Sequence, residues 1–245
     1  MIITALITHN RLDLTKMTVE SYLNNTTLPH YIVVIDNASV DGTKEYLETI
    51  NELDRLIFSD TNLYPGRATN LGWSEAINDI QGGGDFLHRS DNDLFYLPHW
   101  DEYSIDVMNA MPKLGQFGIL NLNDQFYPGC VPTNTHEENG YVVNRHFPNI
   151  GGNHITRREV WDMGVRHIEN TWAEGAAGNE DEKFSHAVGA AGYFYAHSIY
   201  PLATHLGLFR GNYKNRQYRE YYRRTYKERL GINLYPDQPT EGTEF

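Results

Sequence analysis

The first ninety residues alternate between apolar runs and segments with apolar residues at helical spacing. Residues 2–8 form a continuous apolar run, which is typical of a strand covered on both faces of a sheet. Residues 12–24 follow with the periodicity of an amphipathic helix. The same order continues, with strands predicted at 31–36, 55–59 and 85–90 and helices at 42–53 and 66–80. This alternation predicts an α/β fold with a mainly parallel central sheet and right-handed crossovers.

The second half of the chain has a less regular pattern. Strands are predicted at 118–122, 141–145 and 193–197, helices at 158–163 and 181–191, a polar loop at 129–140 and a Gly/Ala-rich loop at 170–178. Residues 1–212 are therefore expected to form one compact domain. Residues 213–235 predict a C-terminal basic, tyrosine-rich helix, and residues 236–245 have the composition of a flexible tail.

The composition excludes several classes of protein. With 40% hydrophobic and 21% charged residues the chain is an ordinary globular protein. No stretch approaches the roughly 18 apolar residues that a membrane helix needs. The N-terminus lacks the basic region and cleavage site of a signal peptide, so it is interpreted as a buried strand. We therefore expect a soluble cytoplasmic protein, located in the host cytoplasm if the chain is phage-encoded.

Charge and cysteine content narrow the choice further. The formal net charge of −12 argues against a protein that coats nucleic acid non-specifically. The segment 213–230 departs from this balance, with seven Lys or Arg residues against two Glu residues. The single cysteine, Cys130, excludes an intramolecular disulfide and a Cys-based zinc site.

The residues that follow the predicted strands are unusually polar. In open α/β sheets ligands bind beyond the carboxyl ends of the strands, so these residues are the candidates for a site. Asp91-Asn92-Asp93 follows the fourth strand and supplies two hard oxygen ligands of the kind that Mg²⁺ or Mn²⁺ prefers. The alternative is a polar turn that satisfies its own backbone. Asp36, after the second strand, can accept from a base N–H or a ribose hydroxyl, whereas Ser39 and Asp41 are expected to cap helices.

Four ordered segments resemble the family 2 glycosyltransferases with the GT-A fold. They are Thr8-His9-Asn10-Arg11, Asp36-Asn37-Ala38-Ser39 with Asp41-Gly42-Thr43, Asn62 with Gly66-Arg67-Ala68-Thr69-Asn70-Leu71-Gly72, and Asp91-Asn92-Asp93. The ordered set covers the first hundred residues and is more specific than any single motif. His9 departs from the family pattern, because it stands where an aromatic residue is usual.

The resemblance implies a donor site for a nucleotide sugar, in practice a UDP-sugar, within residues 1–100. Its implied donor-binding residues are Thr8, Asn10, Arg11, Asp36, Asn37, Asn62, Gly66, Arg67, Asn70, Asp91 and Asn92. Asp93 would bind Mn²⁺ or Mg²⁺ against the diphosphate, and His205 is the best match to a downstream histidine that completes the metal site. A lone histidine is as often structural, so that alternative stays open.

The resemblance also implies an acceptor-binding half within residues 101–212. Residues 151–160 are similar to the acceptor-side segment, with Gly152 and Asn153 as candidates. Asn179-Glu180-Asp181 resembles the Glu-Asp pair that supplies the catalytic base, with Asp181 as base and Glu180 orienting the base or the acceptor. The alternative interpretation of the pair is the acidic first turn of a helix. Trp172 presents an aromatic face to a sugar or packs in the core.

The sequence thus predicts a metal-dependent glycosyltransferase that inverts the anomeric centre. Two alternatives stay open. The first is a retaining enzyme, in which Glu180 and Asp181 would position the acceptor. The second is a catalytically silent nucleotide- or glycan-binding protein on the same scaffold, which would turn over no donor. The acceptor is left open between a glycan, another hydroxyl compound and a hydroxylated base in phage-type DNA. The basic helix either packs its tyrosines on the acidic body or binds phosphates.

Overall fold

The computed structural model describes residues 1–120, 134–145, 150–169 and 179–206. The strands are β1 Ile2–Thr8, β2 His30–Asn37, β3 Arg55–Ser59, β4 Phe86–Asp91, β5 Leu94–Tyr96, β6 Leu114–Gly118, β7 Thr135–Glu138, β8 Tyr141–Asn144, β9 His154–Arg157, β10 Phe194–Ser198 and β11 Ala203–His205. The helices are α1 Leu12–Asn25, α2 Thr43–Leu47, α3 Tyr64–Asp79, α4 Trp100–Ala110, α5 Arg158–Asp162 and α6 Asn179–Ala190.

Within the described ranges the large sheet has nine strands in the order β3-β2-β1-β4-β9-β6-β10-β8-β7. The first four strands in this order run parallel. Strand β9 lies antiparallel between β4 and β6, whereas β6 and β10 are parallel. A small second sheet pairs β11 with β5 in antiparallel register. The predicted α/β architecture with a parallel central region is therefore confirmed, and the whole sheet is mixed.

Helices cover both faces of this sheet, which explains why β1 is buried along its whole length. Side chains alternate between the two faces of a strand. Ile2 and Leu6 belong to one core cluster, together with residues of α1 and α4. Ile3, Ala5 and Ile7 belong to the second cluster, under α3, α5 and α6. The continuous apolar run thus reflects two cores, one on each side of the sheet.

Several predicted elements differ from the observed ones. The helix predicted at 42–53 ends at Leu47, and the strand predicted at 118–122 is wrong because β6 runs from Leu114 to Gly118. Two glycines and a glutamine within β6 hide its strand pattern. The polar loop predicted at 129–140 is wrong over β7, which forms a hairpin with β8. Asn139 and Gly140 make that turn at positive φ, 50° and 82°. Helix α4 and the short strands β5 and β9 are elements that the sequence pattern did not indicate.

Residues 1–205 form one compact unit. None of the helices in the described ranges is long and apolar enough to cross a membrane. The predicted basic helix at 213–235, the tail at 236–245 and Trp172 lie outside the described residues. The division between the two halves of the domain at residue 100 and its end at residue 212 stay predictions.

Candidate functional site

The polar residues that follow the parallel strands meet at one edge of the sheet. The register pairs Thr8 on β1 with Asp36 on β2, and Ile7 on β1 with Asp91 on β4. Three strand ends therefore carry their polar side chains side by side. This is the edge at which open α/β sheets bind ligands.

The buried carboxylate of Asp36 connects β1 to the loop after β2. Thr8 Oγ1 donates to Asp36 Oδ1 at 2.9 Å, and the Ser39 backbone N–H donates to Oδ2 at 3.1 Å. The Ser39 hydroxyl also donates to Oδ1. Asp36 thus holds the wall of the site in shape, and its contact with a nucleotide base stays a prediction.

The loop between β1 and α1 has an unusual backbone. Asn10 and Arg11 both adopt the left-handed region, with φ of 55° and 62°, which non-glycine residues rarely do. Asn10 is held there because its N–H donates to Ser39 Oγ at 2.8 Å and its Oδ1 accepts from the Val40 N–H at 2.9 Å. The strained pair turns the Arg11 side chain toward the end of β4.

Of the two expected helix caps, Asp41 makes the contacts. Its Oδ2 accepts from the Leu12 N–H at 2.9 Å, at the first residue of α1. Its Oδ1 accepts from the Thr43 N–H at 3.2 Å, at the first residue of α2. Ser39 instead bonds to Asp36 and Asn10, as described above, so the capping role expected for it is wrong.

Four asparagines assigned to donor binding also organise the loops around the site. Asn92 Nδ2 donates to the Asn10 carbonyl at 2.8 Å and to Thr15 Oγ1 at 2.9 Å, which fixes the start of α1. The others contact backbone: Asn37 Oδ1 accepts from the Leu63 N–H, Asn62 Oδ1 from the Tyr64 N–H, and Asn70 bonds to both the carbonyl and the N–H of His167. Arg67 is exposed on α3.

Asp93 is buried at 5% exposure and contacts two basic side chains. Arg11 Nη1 donates to Asp93 Oδ2 at 2.6 Å, and His205 Nε2 lies 3.7 Å from Oδ1. Burial raises the pKa of Asp93, and the neighbouring charge of Asp91 raises it further. The two basic neighbours, His205 and Arg11, lower it. The Arg11 side chain is half exposed, so it reaches from the carboxylate to solvent.

The surroundings of Asp93 fit a divalent cation. Oδ1 is buried without a hydrogen-bond partner, which is costly for a carboxylate oxygen. An oxygen and an imidazole nitrogen on opposite sides of one gap are ligands suited to Mn²⁺, and Mg²⁺ accepts the oxygen equally well. A cation held by these two residues would keep its other coordination positions for further oxygen ligands, such as water.

Asp91 faces the other side of the site and is partly exposed. Its backbone N–H donates to Asn153 Oδ1 at 2.8 Å, and Asn153 Nδ2 donates to Asp91 Oδ2 at 3.2 Å. A Cβ on Gly152 would lie 2.6 Å from Asp91 Oδ2 and 3.0 Å from Arg89 Nη2. Only glycine leaves room for these groups, so the segment predicted on the acceptor side packs directly against a donor-side carboxylate.

Glu180 and Asp181, at the start of α6, share one buried guanidinium. Arg89 Nη1 donates to Glu180 Oε1 at 2.7 Å and to Asp181 Oδ1 at 3.0 Å. His167 Nδ1 lies 3.0 Å from the same Glu180 oxygen. Glu180 is only 3% exposed in its side chain, whereas Asp181 is 27% exposed. Of the pair, Asp181 is therefore the carboxylate open to a second reactant.

Burial raises the pKa of Asp181. Arg89 opposes this effect and the neighbouring Glu180 reinforces it. Burial, together with Arg89, holds the pKa of His167 well below its usual range, so that imidazole is neutral. The result is a carboxylate of increased basicity beside a cation that keeps it ionised.

Ligand atoms of His167, Glu180 and Asp181 lie within 4.8 Å of one another, which is close enough for a metal ion. Arg89, however, is already bonded to both carboxylates. Its charge takes the place that a cation would fill, and a second cation beside it would be repelled. The Asp93 side of the site is therefore the better candidate for metal binding.

Two residues of the site were missed by the sequence reasoning. Arg89 had a signal, because it is a charge within a strand predicted to be buried, two positions before Asp91 and so on the same face. His167 had none, since it lies in an irregular segment and reaches Glu180 only through the fold. The predicted roles of the other residues stay predictions, although most of the described ones line the same edge of the sheet.

Three solved structures with the same fold contain a nucleotide or a nucleotide sugar. The mannosyltransferase PcManGT from Pyrobaculum calidifontis, in complex with GDP-Man and Mn²⁺, has a TM-score of 0.62 at 15% identity, over 84% of this chain and 56% of that one. TarS 1-349 from S. aureus in complex with UDP-GlcNAc gives 0.64 at 17% identity, over 81% and 56%. GalNAc-T7 with UDP, GalNAc and Mn²⁺ gives 0.59 at 13% identity, over 82% and 42%.

At these identities the likeness shows the fold, and this chain spans about half the length of the proteins that it matches. No curated protein matches the chain. The family model "Glycosyl transferase family 2" matches residues 4–164, which is well over half of the 245 residues. The chain therefore belongs to glycosyl transferase family 2.

Proposed function

We propose that this chain transfers a sugar from a UDP-sugar to an acceptor hydroxyl with inversion, in the presence of Mn²⁺ or Mg²⁺. One observation carries the proposal. The site holds two carboxylates that differ in exposure: Asp93 is buried with an unpartnered oxygen near His205, and Asp181 is partly exposed beside Arg89. A buried oxygen without a hydrogen-bond partner suits a cation, whereas an exposed carboxylate can accept a proton from a second reactant.

On the donor side, Asp93 and His205 would hold the cation. When bound, the cation neutralises charge that develops on the departing nucleoside diphosphate. Arg11 is bonded to Asp93 and half exposed, so its guanidinium is available to a diphosphate oxygen. Asp91 has a partly exposed carboxylate that is held by Asn153, and it would accept from a hydroxyl of the ribose or the sugar.

On the acceptor side, Asp181 would act as general base. The acceptor oxygen bonds to the anomeric carbon, the bond from that carbon to the diphosphate oxygen breaks, and its electron pair leaves with the nucleoside diphosphate. Asp181 takes the hydroxyl proton as the new bond forms. Glu180 already accepts from Arg89 and lies against His167, so its role is to orient rather than to accept that proton.

The test combines turnover with stereochemistry. The protein is incubated with UDP-sugars, Mn²⁺ and a panel of acceptors that includes glycans and DNA with hydroxylated bases, and the anomeric configuration of the product is determined. An inverted product that requires Mn²⁺ or Mg²⁺ supports the proposal. A retained configuration would assign Glu180 and Asp181 to acceptor positioning, and UDP binding without turnover would indicate a silent binding protein.

A further inference from the structure

A single buried arginine links the donor and acceptor sides of the site. Arg89 lies on β4, two residues before Asp91 and on the same face. Its Nη1 bonds to Glu180 and Asp181, and its Nη2 lies 3.7 Å from Asp91 Oδ1. The side chain is 3% exposed, so its positive charge is stabilised by these carboxylates and not by solvent.

We propose that Arg89 is a positioning residue that holds Asp181 ionised and oriented for the acceptor, with its guanidinium fork spanning Asp181 and Asp91. This inference rests on the proposed role of Asp181 as base. Arginine suits the task because its planar fork fixes direction as well as charge, which an ammonium cannot do. Its Nε is buried without a partner, so the side chain is placed by its two terminal nitrogens.

Charge explains why this residue is needed. Among the residues that the structure describes, the groups facing Asp181 are Arg89 from β4, Glu180 from the same helix, and His167, whose imidazole is neutral. Arg89 is thus the cation that offsets Glu180 next to Asp181. An opposite charge at this distance lowers a carboxyl pKa by about 1 to 3 units. Loss of Arg89 therefore leaves the buried Glu180 carboxylate beside the partly exposed Asp181 carboxylate without a compensating charge, and Asp181 takes up a proton at higher pH.

Orientation gives a second, separable effect. Asp181 and Asp91 are attached to different elements, and Arg89 contacts both. The absence of a side chain at Gly152 leaves the space in which Arg89 and Asp91 approach each other. A lysine at position 89 would keep the charge but lose the fork. Misplacement of a base by about 1 Å can lower the rate about a hundredfold.

The experiment compares R89M, R89K and a control, R157M. Arg157 is a partly buried arginine on the neighbouring strand β9, and its guanidinium bonds to the backbone carbonyls of Leu114 and Met111. The pKa of Asp181 is measured by NMR of the ¹³C-labelled aspartate carboxyls, with D181N identifying the signal. The acidic limb of kcat/KM is measured in parallel.

In R89M the pKa of Asp181 rises by about 1 to 3 units, and the acidic limb moves to higher pH by the same amount. In R89K both stay near those of the unchanged protein, while kcat falls at least about tenfold. R157M shifts neither. An unchanged Asp181 pKa in R89M, or full kcat in R89K, overturns the inference. If R89M does not fold, R89K alone tests the inference: its acidic limb should stay in place while its kcat falls.

The NMR titration needs no turnover, so the two proposals can fail separately. A raised Asp181 pKa in R89M without transfer to any acceptor would keep the charge role of Arg89 and reject the proposed function. Transfer that survives in D181N would reject Asp181 as base, and the inference about its positioning would fall with it.

Discussion

His205 Nε2 lies 3.7 Å from Asp93 Oδ1 because β11 pairs with β5 and sets His205 opposite Leu94, the residue after Asp93. This pairing joins two segments that are far apart in sequence. Asp93 Oδ1 accepts no hydrogen bond, so this oxygen is still available as a ligand beside the His205 imidazole. In the proposed function, Asp93 and His205 would be the two protein ligands of the metal ion.

The first prediction concerns this metal site. D93N and H205A each weaken the binding of UDP in the presence of Mn²⁺ by at least about tenfold, which corresponds to about 1.4 kcal/mol. UDP binding without the metal changes little. Thermal stabilisation by UDP, with and without Mn²⁺, provides the measurement. D106N is the matched control, since Asp106 is exposed on α4. Unchanged Mn²⁺ dependence in D93N would show that the metal lies elsewhere.

The second prediction separates the two carboxylates of α6. D181N lowers kcat by about 10² to 10⁴ and leaves UDP affinity intact, because the proton acceptor is lost and the donor side is untouched. E180Q lowers stability, by up to about 3 to 5 kcal/mol, because a buried arginine loses a charged partner. Urea unfolding and steady-state kinetics measure the two effects. Full transfer in D181N together with loss of transfer in E180Q would exchange the two roles.

The third prediction uses two glycines that allow close approach. A Cβ on Gly66 would lie 2.2 Å from the Ile168 carbonyl oxygen and 3.1 Å from the Glu180 carboxylate. We expect G66A to destabilise the fold by about 1 to 3 kcal/mol and to reduce activity, because the backbone at Ile168 must move. G152A, with a Cβ 2.6 Å from Asp91 Oδ2, lowers donor affinity.

Gly189 supplies the matched control for these substitutions. It lies within α6, and the nearest atom to its added Cβ, on Tyr195, is 3.9 Å away. G189A should therefore be neutral or stabilise the protein by up to about 1 kcal/mol, since alanine favours helix over glycine. Equal effects of G66A and G189A on stability would contradict the steric argument.

The fourth prediction concerns acid stability. Burial lowers the pKa of His88 to about 3, and it also holds the pKa values of His154 and His167 well below their usual range. Below about pH 6.5 the unfolded chain binds protons that the folded protein does not. The free energy of unfolding therefore falls as pH drops from 6.5 toward 3, by up to about 1.4 kcal/mol per pH unit for each histidine.

H88N tests this prediction because asparagine does not titrate. Urea unfolding between pH 4.5 and 7.5 should give a shallower dependence on pH for H88N than for the unchanged protein, whatever the absolute stability of the variant. N109A, at an exposed and non-titrating asparagine of α4, is the control and should leave the slope unchanged. Identical slopes for H88N and the unchanged protein would show that His88 binds its proton equally in the folded and unfolded states, and would contradict the prediction.

Local patterns predicted the elements whose burial is regular. Strands β1 and β3 have the predicted bounds, and α1, α3 and α6 agree within one or two residues. The sequence also placed the polar residues at the ends of the parallel strands together, because parallel strands end at one edge of the sheet. The structure agrees, since the register of β1 and β2 sets Thr8 beside Asp36. Strand β9 escaped prediction because Ile155 is the one apolar residue among its four, and because it enters the sheet antiparallel between β4 and β6.

The sequence by itself thus determined the α/β order, the edge of the sheet that carries the site and the family resemblance, because each depends on short segments or on their order. Only the tertiary structure decided that His205 faces Asp93, that Arg89 links Asp181 to Asp91 and that Glu180 is more buried than its neighbour. These relationships join distant segments. Which segments meet depends on how strands pair and helices pack, and no local period of apolar residues contains that information.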